Sequence, residues 1–151
     1  MAEDFAELLN TIRDGWNAAM GLHLVRATSD EVVAELTVGP QHLQGYGIVH
    51  GGVHSGVIET VASIGAALHA LPRGMSVVGL ENHTSFLHAM REGTLKVEAR
   101  PLTRGRRSQL WEGTVTDAAG KMVAKGTVRL LCLEGDVELA GAKVDNRLRG
   151  G

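Results

Sequence analysis

Apolar residues follow two rhythms along this chain, one helical and one alternating, and the switches between them lay out its elements. Phe5, Leu8, Leu9, Ile12 and Trp16 recur at helical spacing between Glu3, Glu7, Asn10 and Arg13, which predicts an amphipathic helix over residues 4–18. Leu22 and Leu24 alternate before the turn-forming Thr28-Ser29-Asp30, and Val32, Ala34, Leu36 and Val38 alternate beyond it with Glu31, Glu35 and Thr37. This pattern predicts a two-stranded hairpin that Gly39-Pro40 ends. Residues 51–70 lack alternation and are dense in Gly, Ala, Ser and aliphatic side chains, which predicts a long helix buried on most sides and stopped by Pro72-Arg73-Gly74. The rest reads as strands over 75–90, 94–103, 108–116 and 121–133, joined by turns short enough for an antiparallel meander. In the last of these, Met122, Ala124, Val128, Leu130 and Cys132 share one face, and Lys125, Thr127 and Arg129 the other.

That order of elements predicts an α+β fold: an antiparallel sheet of about six strands wrapped around one long helix, plus an N-terminal helix. The 151 residues read as one domain, 1–151, with a core over about 20–133 and a disordered tail over 134–151. A single cysteine excludes an intrachain disulfide and places the chain in the cytoplasm. The start is acidic where a secretory signal would be basic and no apolar run reaches about 18 residues, so neither a signal nor a membrane span is expected. A net charge of −2 and only five aromatic residues argue against a nucleic-acid partner. Local charge changes the picture, because Arg100-Pro101-Leu102-Thr103-Arg104-Gly105-Arg106-Arg107 gathers four arginines without an acid.

The chemistry concentrates in residues 41–60, where a glycine-broken loop runs into the long helix. Glu59 stands between Ile58 and Val61, and a carboxylate buried there must be paired, protonated or used. Gly51 and Gly52 open the helix, so unpaired amides and the positive end of its dipole meet whatever approaches. Eight residues at about 1.5 Å rise separate Gly51 from Glu59 by roughly 12 Å, too far for both to contact one carbonyl. If both act on one group, they come from different chains, paired about a two-fold axis. Gly52, Ser55, Gly56, Glu59, Ser63 and Ala66 are read as one small-residue face able to admit a partner helix or a slender substrate arm.

Gly47-Ile48-Val49-His50-Gly51-Gly52, with a Glu seven positions further on, resembles the signature of the hotdog-fold acyl-CoA thioesterases, in the 4-hydroxybenzoyl-CoA and phenylacetate-pathway branch. The stretches Val78–Phe86, Arg91-Glu92-Gly93 and Gly105 to Trp111 agree, and the likeness covers roughly residues 20–132. The resemblance implies a homodimer with shared active sites that pairs into a homotetramer, and hydrolysis of an aryl- or medium-chain acyl-CoA without metal or bound cofactor. It implies Glu59 as general base or nucleophile and the Gly51 amide on the thioester carbonyl. Gln44 and His50 stand at loop positions lining the reacting centre, and Ser63 near the water. Substrate and coenzyme A contacts fall to Asn82, His83, Ser85, Phe86, His88, Arg104, Gly105, Arg106 and Arg107. His88 stands where many relatives carry a phosphate-binding Arg, so that contact is weaker, pH-dependent or shifted to Arg104.

Other readings stand beside these. Glu59 can be a carboxylate satisfied by neighbours, and the protein a non-catalytic acyl-CoA binder. An enoyl-thioester hydratase of the same fold uses an Asp-His pair that is not found here. His50 and His54, with His42, lack the Glu of a zinc HExxH helix, and His54 is read as structural or pocket-lining. Asn82, His83 and Ser85 are read as sharing a face distinct from Thr84 and Phe86. Tyr46, Phe86 and Leu87, with residues of a second chain, are expected to shape the acyl pocket.

Overall fold

The computed structural model describes residues 2–144. Six strands form one antiparallel sheet: β1 (His23–Ala27), β2 (Val32–Thr37), β3 (Met75–Phe86), β4 (Thr94–Arg104), β5 (Ser108–Thr116) and β6 (Met122–Glu134). The sheet wraps the long helix α3 (Gly51–Ala70), as in the hotdog architecture. Val57, Ile58, Val61, Ala62 and Ala66 of α3 are fully buried against Leu36, Leu95, Val97, Trp111 and Leu130 of the sheet. No helix among the described residues is long and apolar enough to cross a membrane.

The sheet order is β1-β2-β4-β5-β6-β3, so only β4, β5 and β6 make the expected meander. β3 crosses over α3 and pairs with β6, from Met75 opposite Glu134 to Phe86 opposite Ala124, leaving its other edge open. Period-two patterning marks a strand but not its neighbour, and the 20-residue helix between β2 and β3 carries the chain to the far side of the sheet.

The N-terminal helix expected over 4–18 is two short helices, α1 (Ala6–Thr11) and α2 (Gly15–Met20). Asp14 is extended and Gly15 takes a φ of 56°, a left-handed backbone that ends one helix before the next begins. Asp4 ties this segment down, its Oδ1 accepting from the N–H groups of Ala6 at 3.0 Å and Ala27 at 2.9 Å. Both bonds favour the charged carboxylate and hold its pKa below the ordinary value.

Residues 138–143, within the tail expected to be disordered, form a small hairpin of β7 (Glu138–Leu139) and β8 (Ala142–Lys143). The remainder of that tail lies outside the described residues. On β6 the even-numbered residues from Ala124 to Cys132 are buried as expected, but Met122 at its start is exposed.

Candidate active site

The loop before α3 is held by a short network. His42 is buried; its Nδ1 accepts from the Gly39 N–H at 2.8 Å, so its protonated Nε2 donates to the Met20 carbonyl, also at 2.8 Å. Arg91 Nη1 donates to the Tyr46 carbonyl at 2.7 Å, and the Val49 N–H to the Met90 carbonyl at 2.7 Å. The Gln44 side-chain oxygen accepts from the Tyr46 N–H. His50 caps α3: its Nδ1 accepts from the Gly52 N–H at 2.8 Å. Among the described residues the Gly51 N–H has no partner, so it remains the free donor at the positive end of the helix.

Gln44, His50, Gly51, Phe86, Leu87 and His88 line one cleft of about 370 Å³. Five site residues expected from sequence thus converge. The absent side chain at Gly51 makes room for a protein ring: a Cβ there would lie 2.5 Å from the Phe86 ring. Tyr46, expected in the acyl pocket, is 83% exposed in the single chain.

His54 closes the back of this cleft. It is 3% exposed, its ring centroid lies 6.2 Å from that of Phe86, and its Nδ1 has no partner among the described residues. Burial holds the imidazole below its ordinary pKa. On unfolding the ring regains that value and binds a proton, so the stability tied to the neutral form is full above about pH 6.5 and is lost as pH falls through and below it. The melting temperature should therefore drop between pH 7 and 5.5, with a shallower slope in His54→Phe; identical slopes in calorimetric scans would show that another group controls it.

Glu59 is exposed in the single chain, which corrects the expectation of a buried carboxylate. Residues advance about 100° around a helix, so Ile58 and Val61 face the sheet while Glu59 points away from it. A second cleft gathers around it, lined by Asp14, Gly15, Trp16, Asn17, Gly56 and Thr60 among others. The small-residue face is likewise different from the one expected. Ala66 is fully buried, its carbonyl accepting from Gln109 Nε2 at 3.1 Å. Gly56 is seated under Trp16, whose ring would meet an added Cβ at 2.4 Å. Ser63 follows Glu59 by one turn and is half-buried.

Along β3, Asn82 faces the helix with Thr84 and Phe86, contrary to the expected grouping, because side chains alternate strictly along a strand. Asn82 Nδ2 donates to the Ser55 carbonyl at 2.9 Å, and the Thr84 hydroxyl to Asn82 Oδ1 at 2.6 Å. His83 lies on the outer face, 3.7 Å from Glu81, and Ser85 shares that face. Neither joins the clefts beside Gly51 or Glu59.

Arg104 is committed to the β1–β2 turn, where its Nη1 donates to Asp30 Oδ1 and the Ser29 carbonyl, both at 2.8 Å. Gly105 closes the β4–β5 turn through its N–H to the Ser108 carbonyl at 2.9 Å. Arg106 and Arg107 project from this turn, and neither makes an ion pair among the described residues. Gln109, just beyond the turn, reaches Ala66, so the turn lies near the far end of α3, about 22 Å along the helix from Gly51. No described group of three or more His, Cys, Asp or Glu is placed to hold a metal.

A curled antiparallel sheet wrapped around one long helix defines the hotdog fold, here with an amide at the helix mouth, unpartnered among the described residues, and an exposed carboxylate on the helix's open face. The chain belongs to the thioesterase superfamily, whose sequence profile matches residues 46–124, and is by that membership a thioester hydrolase. The proofreading thioesterase EntH of Klebsiella pneumoniae is 33% identical over 104 residues, 69% of this chain and 75% of the relative. The structure of Rv1847 from Mycobacterium tuberculosis is 42% identical with a TM-score of 0.77, covering 79% of this chain and 96% of that one. A Streptococcus pneumoniae protein solved with coenzyme A shares the fold alone: 19% identity, TM-score 0.69, 75% of this chain and 86% of that one.

Proposed function

We propose that this thioesterase hydrolyses an aryl- or medium-chain acyl-CoA to the free acid and coenzyme A, at sites that two chains share. Glu59 of one chain either draws a proton from water or attacks the carbonyl itself, and the Gly51 N–H of the other chain stabilises the oxygen as negative charge develops. Gln44 and His50 orient the thioester, and Ser63 the water. The observation that carries this reading is the disposition of α3: a free Gly51 donor and an exposed Glu59 on one rigid helix, roughly 12 Å apart. An antiparallel pairing of two such helices sets each Gly51 beside the partner's carboxylate, and the open edge of β3 offers backbone groups for the same contact. Thiol release across an acyl-CoA panel, run with sedimentation to fix the oligomer, tests it; a monomer with full activity refutes the shared site.

Arg106 and Arg107 are proposed to hold the phosphates of coenzyme A, the role for which guanidinium geometry is suited. The coenzyme A in the Streptococcus pneumoniae structure supports that class of ligand. Replacing both with Ala should raise KM for acyl-CoA about tenfold and leave KM for a short pantetheine thioester within a factor of about two. Equal effects on both substrates would remove the assignment, and Arg104, held by Asp30, is expected to contribute little.

A further inference from the structure

The sheet has two edges, β1 and β3, and the chain treats them differently. An edge strand turns pairs of N–H and carbonyl groups outward, where they can recruit another strand. On β1 and the residue before it these pairs fall on Leu22, Leu24 and Ala27, the spacing widening from two to three across the bulge between Leu24 and Arg26. All six groups are bonded, and every partner comes from residues 4–17.

Asn10 does at Leu24 what the facing residue of a neighbouring strand would do: its Oδ1 accepts from the N–H at 3.0 Å and its Nδ2 donates to the carbonyl at 2.9 Å. An Asn amide carries a donor and an acceptor side by side, so one side chain closes both. At Ala27 the work is divided, Asp4 Oδ1 accepting from the N–H at 2.9 Å and the Phe5 N–H donating to the carbonyl at 2.8 Å. At Leu22 the Asn17 carbonyl accepts from the N–H at 3.1 Å and Arg13 Nη1 donates to the carbonyl at 2.7 Å. Ala6 is buried and Phe5 and Leu9 pack on the core, which seats α1 beside the strand. The backbone bonds of a helix are made within it, so α1 covers the edge without extending the ladder. The outer edge of β3, 12 residues from Met75 to Phe86, carries no such cover among the described residues.

We propose that residues 4–17 are an edge cap that confines strand-to-strand assembly of this chain to β3, and that β1, once uncovered, pairs with β1 of a second copy. A two-fold axis lets the same edge meet itself, so no other partner is needed. The consequence rests on the reading in which two chains join through their β3 edges. A pair joined in that way carries two β1 edges, one at either end of the combined sheet. With both covered, the assembly is closed; with both bare, pair adds to pair and the chain of sheets has no natural end. Val25 stands at the bulge of this edge, 50% exposed, and supplies an apolar contact to whatever pairs there.

The double variant Asp4→Ala/Asn10→Ala of the full chain removes the side chains that make three of the six bonds. Amide exchange at Leu24 and Ala27 should quicken about tenfold or more. Sedimentation velocity should show a weight-average mass that climbs with concentration to about five times that of the unsubstituted protein. Adding Val25→Lys places a charge on the bare edge and should return the mass to the unsubstituted value while exchange stays fast. Growth that Val25→Lys does not reverse comes from unfolded chains and overturns the proposal, as does unchanged exchange in the double variant. If the unsubstituted protein is a monomer and the double variant stops at two chains, the cap stands and pairing through β3 falls. If the unsubstituted protein is a closed oligomer whose mass the double variant leaves unaltered, the cap falls and pairing through β3 stands.

Discussion

Replacing Glu59 with Gln should lower kcat by about 100-fold or more while leaving the fold intact. The substitution keeps the shape of the side chain and removes only its charge and proton-accepting oxygen. Glu59 is exposed and makes no hydrogen bond or ion pair among the described residues, so little stability depends on it. A loss of that size corresponds to about 2.7 kcal/mol of transition-state stabilisation, the magnitude expected for a group that touches the reacting atoms. Thiol-release kinetics at saturating acyl-CoA, with a thermal melt of the same sample, give the answer. Near-normal turnover in Glu59→Gln would move the chemistry elsewhere, with Asp14 in the same cleft as the next carboxylate to test.

The largest effect on stability is expected at Trp111, which is fully buried where β5 meets α3. Its ring lies over Gly65, where an added Cβ would sit 2.4 Å away. Its Nε1 donates to Gln109 Oε1 at 2.9 Å, and Gln109 Nε2 donates in turn to the Ala66 carbonyl at 3.1 Å. Trp111→Ala removes the ring and leaves a cavity that helix and sheet cannot both close, at a cost of about 3–5 kcal/mol. For a chain of this size that lowers the melting temperature by about 10 °C or more. Trp111→Phe keeps much of the packing but strands the Gln109 acceptor, so it should fall between the two. A shift under about 3 °C for Trp111→Ala would contradict this account of the interface.

The elements were legible in the sequence because burial against a curled sheet imposes a period of two and burial around a helix one of 3.6. The ends of β4, β5 and β6 fall within about one residue of the places their turn residues mark. Placement was harder. Alternation in β3 says that it is a strand but not that it joins β6, a choice made by α3 crossing the sheet. The break in the first helix was signalled by Asp14-Gly15, a turn-forming pair that the stronger apolar rhythm from Phe5 to Trp16 hid.

The same limit governs the site. The loop Gln44–Gly51 was found because its residues are contiguous with the helix they serve. Trp16, Asn17 and Thr60 were missed because they meet only after α2 folds back across α3. A hint existed in Thr60, a polar residue directly after Glu59 in the middle of a mostly apolar helix. The sequence neighbours of Glu59 face the sheet and suggest burial, although its own direction on the helix is outward.

Four glycines serve as seats for large side chains: Gly51 under Phe86, Gly56 under Trp16, Gly65 under Trp111 and Gly113 under Ile58. Each is therefore one half of a fitted pair, and sequence drift at the two halves is coupled. Ala at position 65 gains about 0.5–1 kcal/mol of helix propensity in isolation, yet meets the Trp111 ring; it becomes neutral only with a smaller residue at 111. Lineages of this fold should exchange such pairs together, so a solitary aromatic change in a descendant would mark a helix already moved away from its sheet.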